Sequence, residues 1–245
     1  VFFLNLQGNE LNATRPFMFW YLISLSQLSL ARNKICAIEN DTFNGTESTL
    51  NTLVLSYNRI QFIKKTYVAG LIRLTDLFIV GNQISHIEPG SFRNMSVLSR
   101  LELSNNCLFK LDKSIFVDLV NLQSLYLDNN VIRDLHPDTF SSLPNLLTLK
   151  LNENRLERLR PGLFGKLKKL KELHLGANLI KQLDSDTFVG LNQQQQFKTL
   201  NLSANRFSLL NNSLKIFKPL AKLDLSMNKM ESVLLSNELF LSNNL

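Results

Sequence analysis

The chain has 245 residues, 44% of them hydrophobic, enough to bury a continuous core, and its length fits one large domain or two ordinary ones. With 9 Gly and 6 Pro it is not collagen-like, disordered or linker-rich. A formal net charge of +7 favours encounter with anionic surfaces without choosing among phosphates, sulfates and acidic proteins.

Val1 is not followed by a basic start, an apolar stretch and a small-residue cleavage site, so any signal peptide is expected to have been removed or to lie outside this segment. The longest apolar run, Phe17 to Ile23, is far shorter than the roughly 20 residues that span a bilayer, and membrane attachment is expected only through a span elsewhere. The dominant signal is internal repetition. The pattern L-x-x-L-x-L-x-x-N-x-L recurs, with its asparagine at Asn9, Asn33, Asn58, Asn82, Asn106, Asn130, Asn154, Asn178, Asn205 and Asn228. Successive spacings are 24, 25, 24, 24, 24, 24, 24, 27 and 23, so each repeat forms one coil of nearly constant circumference.

Leu122, Leu125, Leu127, Asn130 and Ile132 make a clear copy, in which Leu125 and Leu127 alternate with exposed positions as a half-buried strand requires. One short strand per coil, paired coil to coil, gives a parallel sheet backed by leucine columns that no single coil could bury. The asparagine is expected to turn inward and bond backbone groups of its own and adjacent coils, a structural role. Ten residues beyond it an aromatic returns at Phe19, Phe43, Phe92, Phe116, Phe140, Phe164 and Phe188, broken at Val68 and Lys215. This ladder is expected to pack the convex side. Around Leu191 to Phe197 the coil is three residues longer, and the run Gln193 to Gln196 is expected to bulge out as a surface loop. Cys36 and Cys107 lie three coils apart, roughly 14 Å at ~4.8 Å per coil, too far for a disulfide, so both are expected as free thiols or paired outside the segment.

These motifs resemble the typical-class leucine-rich repeat family, matched from Val1 to Val233. The resemblance implies an α/β solenoid: a single horseshoe domain over residues 1–245, about ten repeats, a parallel concave β-sheet and an irregular or 3-10 convex side. Families of this class are mostly extracellular or on the cell surface, including Toll-like receptors, hormone-receptor ectodomains, neuronal adhesion proteins and small matrix proteoglycans. The cysteine-rich caps usual in such ectodomains are missing, so the segment is expected to be internal to a longer array.

In such folds a ligand most often meets the concave sheet. The position between the second and third leucines runs Asn5, Ser29, Val54, Phe78, Glu102, Tyr126, Lys150, His174, Asn201 and Asp224. The position before the second leucine runs Phe3, Gln27, Thr52, Asp76, Arg100, Ser124, Thr148, Glu172, Thr199 and Lys222. Mid-stripe, Phe78, Val80 and Tyr126 mix with Asp76, Arg100, Glu102, Lys150, Glu172 and His174, the composition of a binding hot spot. The plainer view is that strand faces carry such residues anyway and that Arg100 pairs with Glu102 or Asp76. A second candidate is basic: Arg155, Arg158, Arg160, Lys166, Lys168, Lys169 and Lys171, a glycosaminoglycan-type patch or a solvated surface. Phe17, Met18, Trp20, Tyr21 and Ile23 crowd the convex side of the first coil, an interaction site or an area covered by a preceding coil or cap. Sequons stand at Asn12, Asn40, Asn44, Asn94, Asn201 and Asn211, about four of which would arise by chance.

Catalysis is not expected. His86, His136 and His174 fall in separate coils, with no H-E-x-x-H or G-x-S-x-G spacing and no glycine-rich phosphate loop. No metal or cofactor is expected, and no nucleic acid, since no base-reading module accompanies the charge. The expectation is a cell-surface receptor ectodomain binding a protein or other macromolecule on a preformed curved surface, with roles such as innate immunity or signal transduction and a dimer among its states. The alternatives are a secreted matrix or adhesion protein that binds glycosaminoglycan, and an intracellular scaffold.

Overall fold

A computed structural model describes residues 1–68, 70–191, 195–208 and 220–231. Ten three-residue strands, one per coil, form a single parallel sheet in chain order. They are β1 (Phe3–Asn5), β2 (Gln27–Ser29), β3 (Thr52–Val54), β5 (Asp76–Phe78), β7 (Arg100–Glu102), β8 (Ser124–Tyr126), β9 (Thr148–Lys150), β10 (Glu172–His174), β11 (Thr199–Asn201) and β12 (Lys222–Asp224). Coils 1 to 10 are numbered by these strands. A flank pair, β4 (Phe62–Ile63) and β6 (His86–Ile87), joins coils 3 and 4 beside the main sheet.

Pairing never slips. Leu77, Leu101, Leu125, Leu149, Leu173 and Leu200 stand opposite one another from strand to strand, and all are fully buried. A one-residue slip would turn that column to solvent, so burial fixes the register. No helix occurs among the described residues. The convex side is irregular, built of turns closed by short-range backbone bonds such as Leu119 N to Phe116 O and Leu122 N to Leu119 O. Behind them the Phe116, Phe140, Phe164 and Phe188 rings stack with centroids 6.0 to 6.4 Å apart. Phe19 and Phe43 stack likewise, and the ladder breaks at Val68, as the sequence indicates. The break expected at Lys215 lies outside the described residues.

From Asn33 onward each repeat asparagine ties its coil to the one before. Asn130 donates through Nδ2 to the carbonyls of Leu103, Leu127 and Asp128, while its Oδ1 accepts from Leu108 N. The same set recurs from Asn58 to Asn205, all buried. Asn9, in coil 1, bonds only Leu6 O and stays exposed. The residue before the asparagine has positive φ in each described copy, from Arg32 at 53° to Met227 at 57°, which bends the chain out of the sheet.

In the longer coil 8, Gln193 and Gln194 lie outside the described residues. Gln196 does not project freely: its Nε2 donates to Lys168 O of the preceding coil, and the flanking Leu191 and Phe197 are buried.

Candidate functional site

Because the strands pair in register, residues 24 or so apart in sequence become neighbours about 4.8 Å apart across the concave face. Phe78 and Tyr126 lie in one row, two coils apart, with Glu102 between them. Arg100 is in the adjacent row. Its guanidinium carbon sits 5.9 Å from the centroid of the Phe78 ring and 5.9 Å from that of Tyr126, and Lys150 Nζ lies 5.0 Å from the Tyr126 centroid. Aromatic and cation thus alternate over four coils, each contact worth about 0.5–1 kcal/mol at an exposed site. The ion pair considered for Arg100 does not form among the described residues. Asp76 is held by the Thr75 hydroxyl at 2.9 Å, and Glu102 accepts from Ser104 N at 3.3 Å. Arg100 reaches past both acids to the two rings.

Around this stack two carboxylates, Glu102 and Asp128, lose hydration to burial. Burial pushes Glu102 above the ordinary carboxylate value, with Asp128 adding repulsion, against bonds from Ser104 and the pull of Lys150. Burial likewise raises Asp128, against bonds from Asn152 and the pull of Lys150 and His174. His174 Nε2 approaches Glu172 Oε2 at 3.5 Å, within ion-pair range, yet it is a buried atom with no hydrogen-bond partner. Val80 is half-buried, and its N–H donates to Ser56 Oγ.

Two members of this face were missed by sequence reasoning. Asp128 Oδ1 accepts from the N and Nδ2 of Asn152, and Asn152 Oδ1 accepts from Gly176 N, so an acid–amide chain crosses three coils. The available signal was an acid and an amide at the position after the third leucine, where Ala31, Ser56, Ser104 and Gly176 are small.

The basic residues are distributed over the flank, the convex turn and the approach to a strand. Arg160 is committed to Asp134 through two bonds of 3.1 and 2.5 Å, and Arg158 stands 3.9 Å from the same carboxylate. Arg155 follows Asn154 on the flank. Lys166, Lys168 and Lys169 follow Phe164 on the convex turn, and Lys171 immediately precedes β10. The apolar group in coil 1 is exposed, with Tyr21 at 90%, Ile23 at 70% and Trp20 at 47%, Trp20 meeting Phe17 edge-on. Among the sequons, Asn12, Asn40 and Asn94 are exposed and Asn44 is half-buried. Asn201 lies half-buried on β11, where its Oδ1 accepts from both N and Oγ of Ser203. Asn211 lies outside the described residues. Cys36 and Cys107 are free and exposed. Among the described residues no group of three His, Cys, Asp or Glu could hold a metal, and no helix is long and apolar enough to cross a membrane.

The leucine rich repeat family model matches residues 48–108, 96–156 and 144–207. No curated protein sequence matches the chain. Among solved structures, the chain is similar to TLR13 in its complex with ssRNA13, at 28% identity and a TM-score of 0.84 over 91% of this chain and 32% of that one. It is also similar to a leucine-rich repeat protein of Leptospira interrogans, at 25% identity and a TM-score of 0.79 over 94% of this chain and 55% of the other. Toll of Drosophila, in complex with Spatzle in a glycosylated form, shares the fold at 22% identity and a TM-score of 0.85, over 93% of this chain and 32% of that one. The chain thus spans about a third of the two receptor chains and about half of the bacterial one. With the repeat model covering most of the sequence and a parallel solenoid beneath it, the chain belongs to the leucine-rich repeat family.

Proposed function

We propose that this chain is a binding segment of a cell-surface receptor ectodomain, not an enzyme, and that it holds a macromolecular partner, a protein in the first instance, on its concave face. The observation that carries the reading is the cluster of Phe78, Arg100, Tyr126 and Lys150 across two adjacent rows. Aromatics and Arg are the residues that most often anchor interfaces, and here each is held by a neighbouring coil before any partner arrives. The surrounding Asp76, Glu102, Asp128 and Glu172 favour a partner of mixed charge over a uniformly anionic one. The similarity to receptor ectodomains supports an extracellular setting.

The test places a photo-crosslinking residue at Tyr126, or at Val117 on the convex side, in the protein expressed from its complete reading frame. Crosslinks from position 126, and a loss of about tenfold or more in affinity of R100A for the partner so identified, support the reading. Crosslinks from position 117 alone refute it.

A second reading has a specific observation behind it. A neighbour solved with single-stranded RNA removes the ground for expecting no nucleic acid, and alternating rings and cations suit stacked bases. Retention of a single-stranded RNA that falls steeply with salt and is lost in Y126A favours this reading over a protein partner.

A further inference from the structure

The convex side of coils 2 to 5 carries three cavities that share residues. One of about 190 Å³ is lined by Asn40, Asn44 and Thr66 among others. The next, about 460 Å³, is lined by Lys65, Thr66, Gly70, Pro89, Arg93 and Asn94, and the third, about 330 Å³, takes Arg93 on to Asp118. Together they form a groove where the ring ladder breaks at Val68.

Three sequons border this groove, and the fold itself accounts for two of them. Thr42, of the Asn40 sequon, is 1% exposed; its hydroxyl meets Thr14 Oγ1 at 2.8 Å and donates to Glu39 O at 2.7 Å. Buried Ser or Thr recurs at this place before the ladder ring, at Ser91, Thr139 and Thr187, so Thr42 follows the repeat; its hydroxyl is bonded like that of Ser91, whereas those of Thr139 and Thr187 have no hydrogen bond among the described residues. Thr46, of the Asn44 sequon, is fully buried and donates to Phe43 O, and Thr14 of the Asn12 sequon is spent on Thr42 and Glu39 N. Ser203 of the Asn201 sequon bonds Asn201 itself. Ser96 differs: it is exposed, and its hydroxyl has no hydrogen bond among the described residues. The corresponding place in other coils holds Ile23, Glu47, Val120, Pro144 and Lys168, so the repeat does not call for a hydroxyl there. Asn94 has its own structural cause, a φ of 62° at a place where coils 2, 3 and 8 use glycine, but that cause does not extend to Ser96.

We propose that Asn94 carries an N-linked oligosaccharide whose first sugars lie in the 460 Å³ part of this groove. Asn94 lines the groove, so the occupant is tethered at its wall. Lys65, Thr66 and Arg93 supply donors for sugar hydroxyls and acetamide oxygens, and Pro89 with the side-chain-free Gly70 and Gly90 offers a flat floor to a pyranose face. Asn94 N–H is already held by Asp118 Oδ2 at 3.0 Å, which fixes where the attached chain departs. In the attachment, Asn94 Nδ2 bonds to the anomeric carbon of a lipid-pyrophosphate-linked oligosaccharide. The bond from that carbon to the pyrophosphate oxygen breaks, the lipid pyrophosphate leaves with the electron pair, and one amide proton passes to a base of the transferase.

The proposal rests on the secretory part of the receptor reading, and the test separates the two. The protein, expressed from its complete reading frame in animal cells, is treated with peptide-N-glycosidase in ¹⁸O water, and each sequon is read by peptide mass. Asn94 is expected to be converted to ¹⁸O-labelled Asp, with the label lost in S96A and kept in S96T, neither of which touches a bond of the fold. Release from Asn94 is expected to be several-fold slower in the native protein than in denatured protein. An unmodified Asn94 beside occupied sequons overturns the proposal and leaves the receptor reading standing, whereas six empty sequons overturn both. Equal release rates in the two states overturn the seating in the groove.

Discussion

The Tyr57 ring lies on Gly81 so closely that a Cβ there would stand 2.6 Å from Tyr57 Cδ1. Gly81 has φ at 67°, but the equivalent turn holds Glu153 at 53° and Ala177 at 51°, so backbone conformation alone does not demand glycine. The ring does. Tyr57 also receives Arg32, whose guanidinium carbon is 4.9 Å from its centroid.

Gly81→Ala is therefore expected to displace Tyr57 and to lower stability by about 1–2 kcal/mol, from backbone strain and the lost packing together. In a Tyr57→Ala background the same change should cost clearly less. Urea unfolding of the four proteins of this cycle measures the difference. Equal costs in both backgrounds would show that the ring is not the reason.

Asn130→Ala removes three donated bonds and one accepted bond, all but the one to Asp128 O buried, and should cost about 1–3 kcal/mol. Asn9→Ala, at the exposed end with one bond to Leu6 O, should change stability by a few tenths at most. Chemical denaturation of both, compared at the same protein concentration, checks the contrast.

Phe140 is fully buried between Phe116 at 6.2 Å and Phe164 at 6.4 Å. Phe140→Ala should cost about 3–5 kcal/mol, as expected where a large side chain leaves a cavity its neighbours cannot close. A thermal midpoint close to that of the parent protein would mean that the ladder repacks.

Burial disfavours the charge on Asp128 and Glu102 and raises both from the ordinary carboxylate value. A folded-state pKa above the unfolded one means that the native state binds protons more tightly. These groups therefore subtract stability as pH rises from the ordinary carboxylate range through their folded pKa values, and the loss is complete above them. Asp128→Asn keeps the oxygen that accepts from Asn152 and removes the charge. It should raise the urea midpoint near neutral pH, with the gain vanishing toward the acid end. Asp134 is the opposite case: the bond from Arg160 holds it low, so its contribution is present at neutral pH and lost as pH falls through its folded pKa. A pH series of unfolding midpoints for D128N and D134N reads both signs.

The repeat was legible because its cause is local. Leucines at fixed offsets and one asparagine per coil specify strand, turn and burial without reference to anything farther away, and Leu125 and Asn130 sit where the spacing puts them. The two stripes were legible for the same reason, so Phe78, Arg100, Tyr126 and Lys150 were all named as one patch. What the sequence did not reveal is which neighbour each side chain chooses. Arg100 has acids beside it in sequence and in the sheet, yet a long flexible stem lets it span two coils to rings that no linear spacing links to it. Asp128 and Asn152 escaped notice because their bond crosses coils at a position held elsewhere, apart from Gln7 and Val80, by small residues. Gly81 needed Tyr57 of the preceding coil to make sense. Gln196, read as part of an outward loop, folds back because a carbonyl of the neighbouring coil, Lys168 O, lies within reach.

Asn154 reaches back 27 residues to Leu127 O at 2.9 Å, and Asn205 reaches back 30 to Leu175 O, also at 2.9 Å. The clasp measures space and is indifferent to how much chain is paid out between its ends. A designer, or a lineage, can thus splice extra sequence into the outer arc near Gln195 while the inner face keeps its geometry, and new surface can be tried there without renegotiating what the rest of the molecule holds.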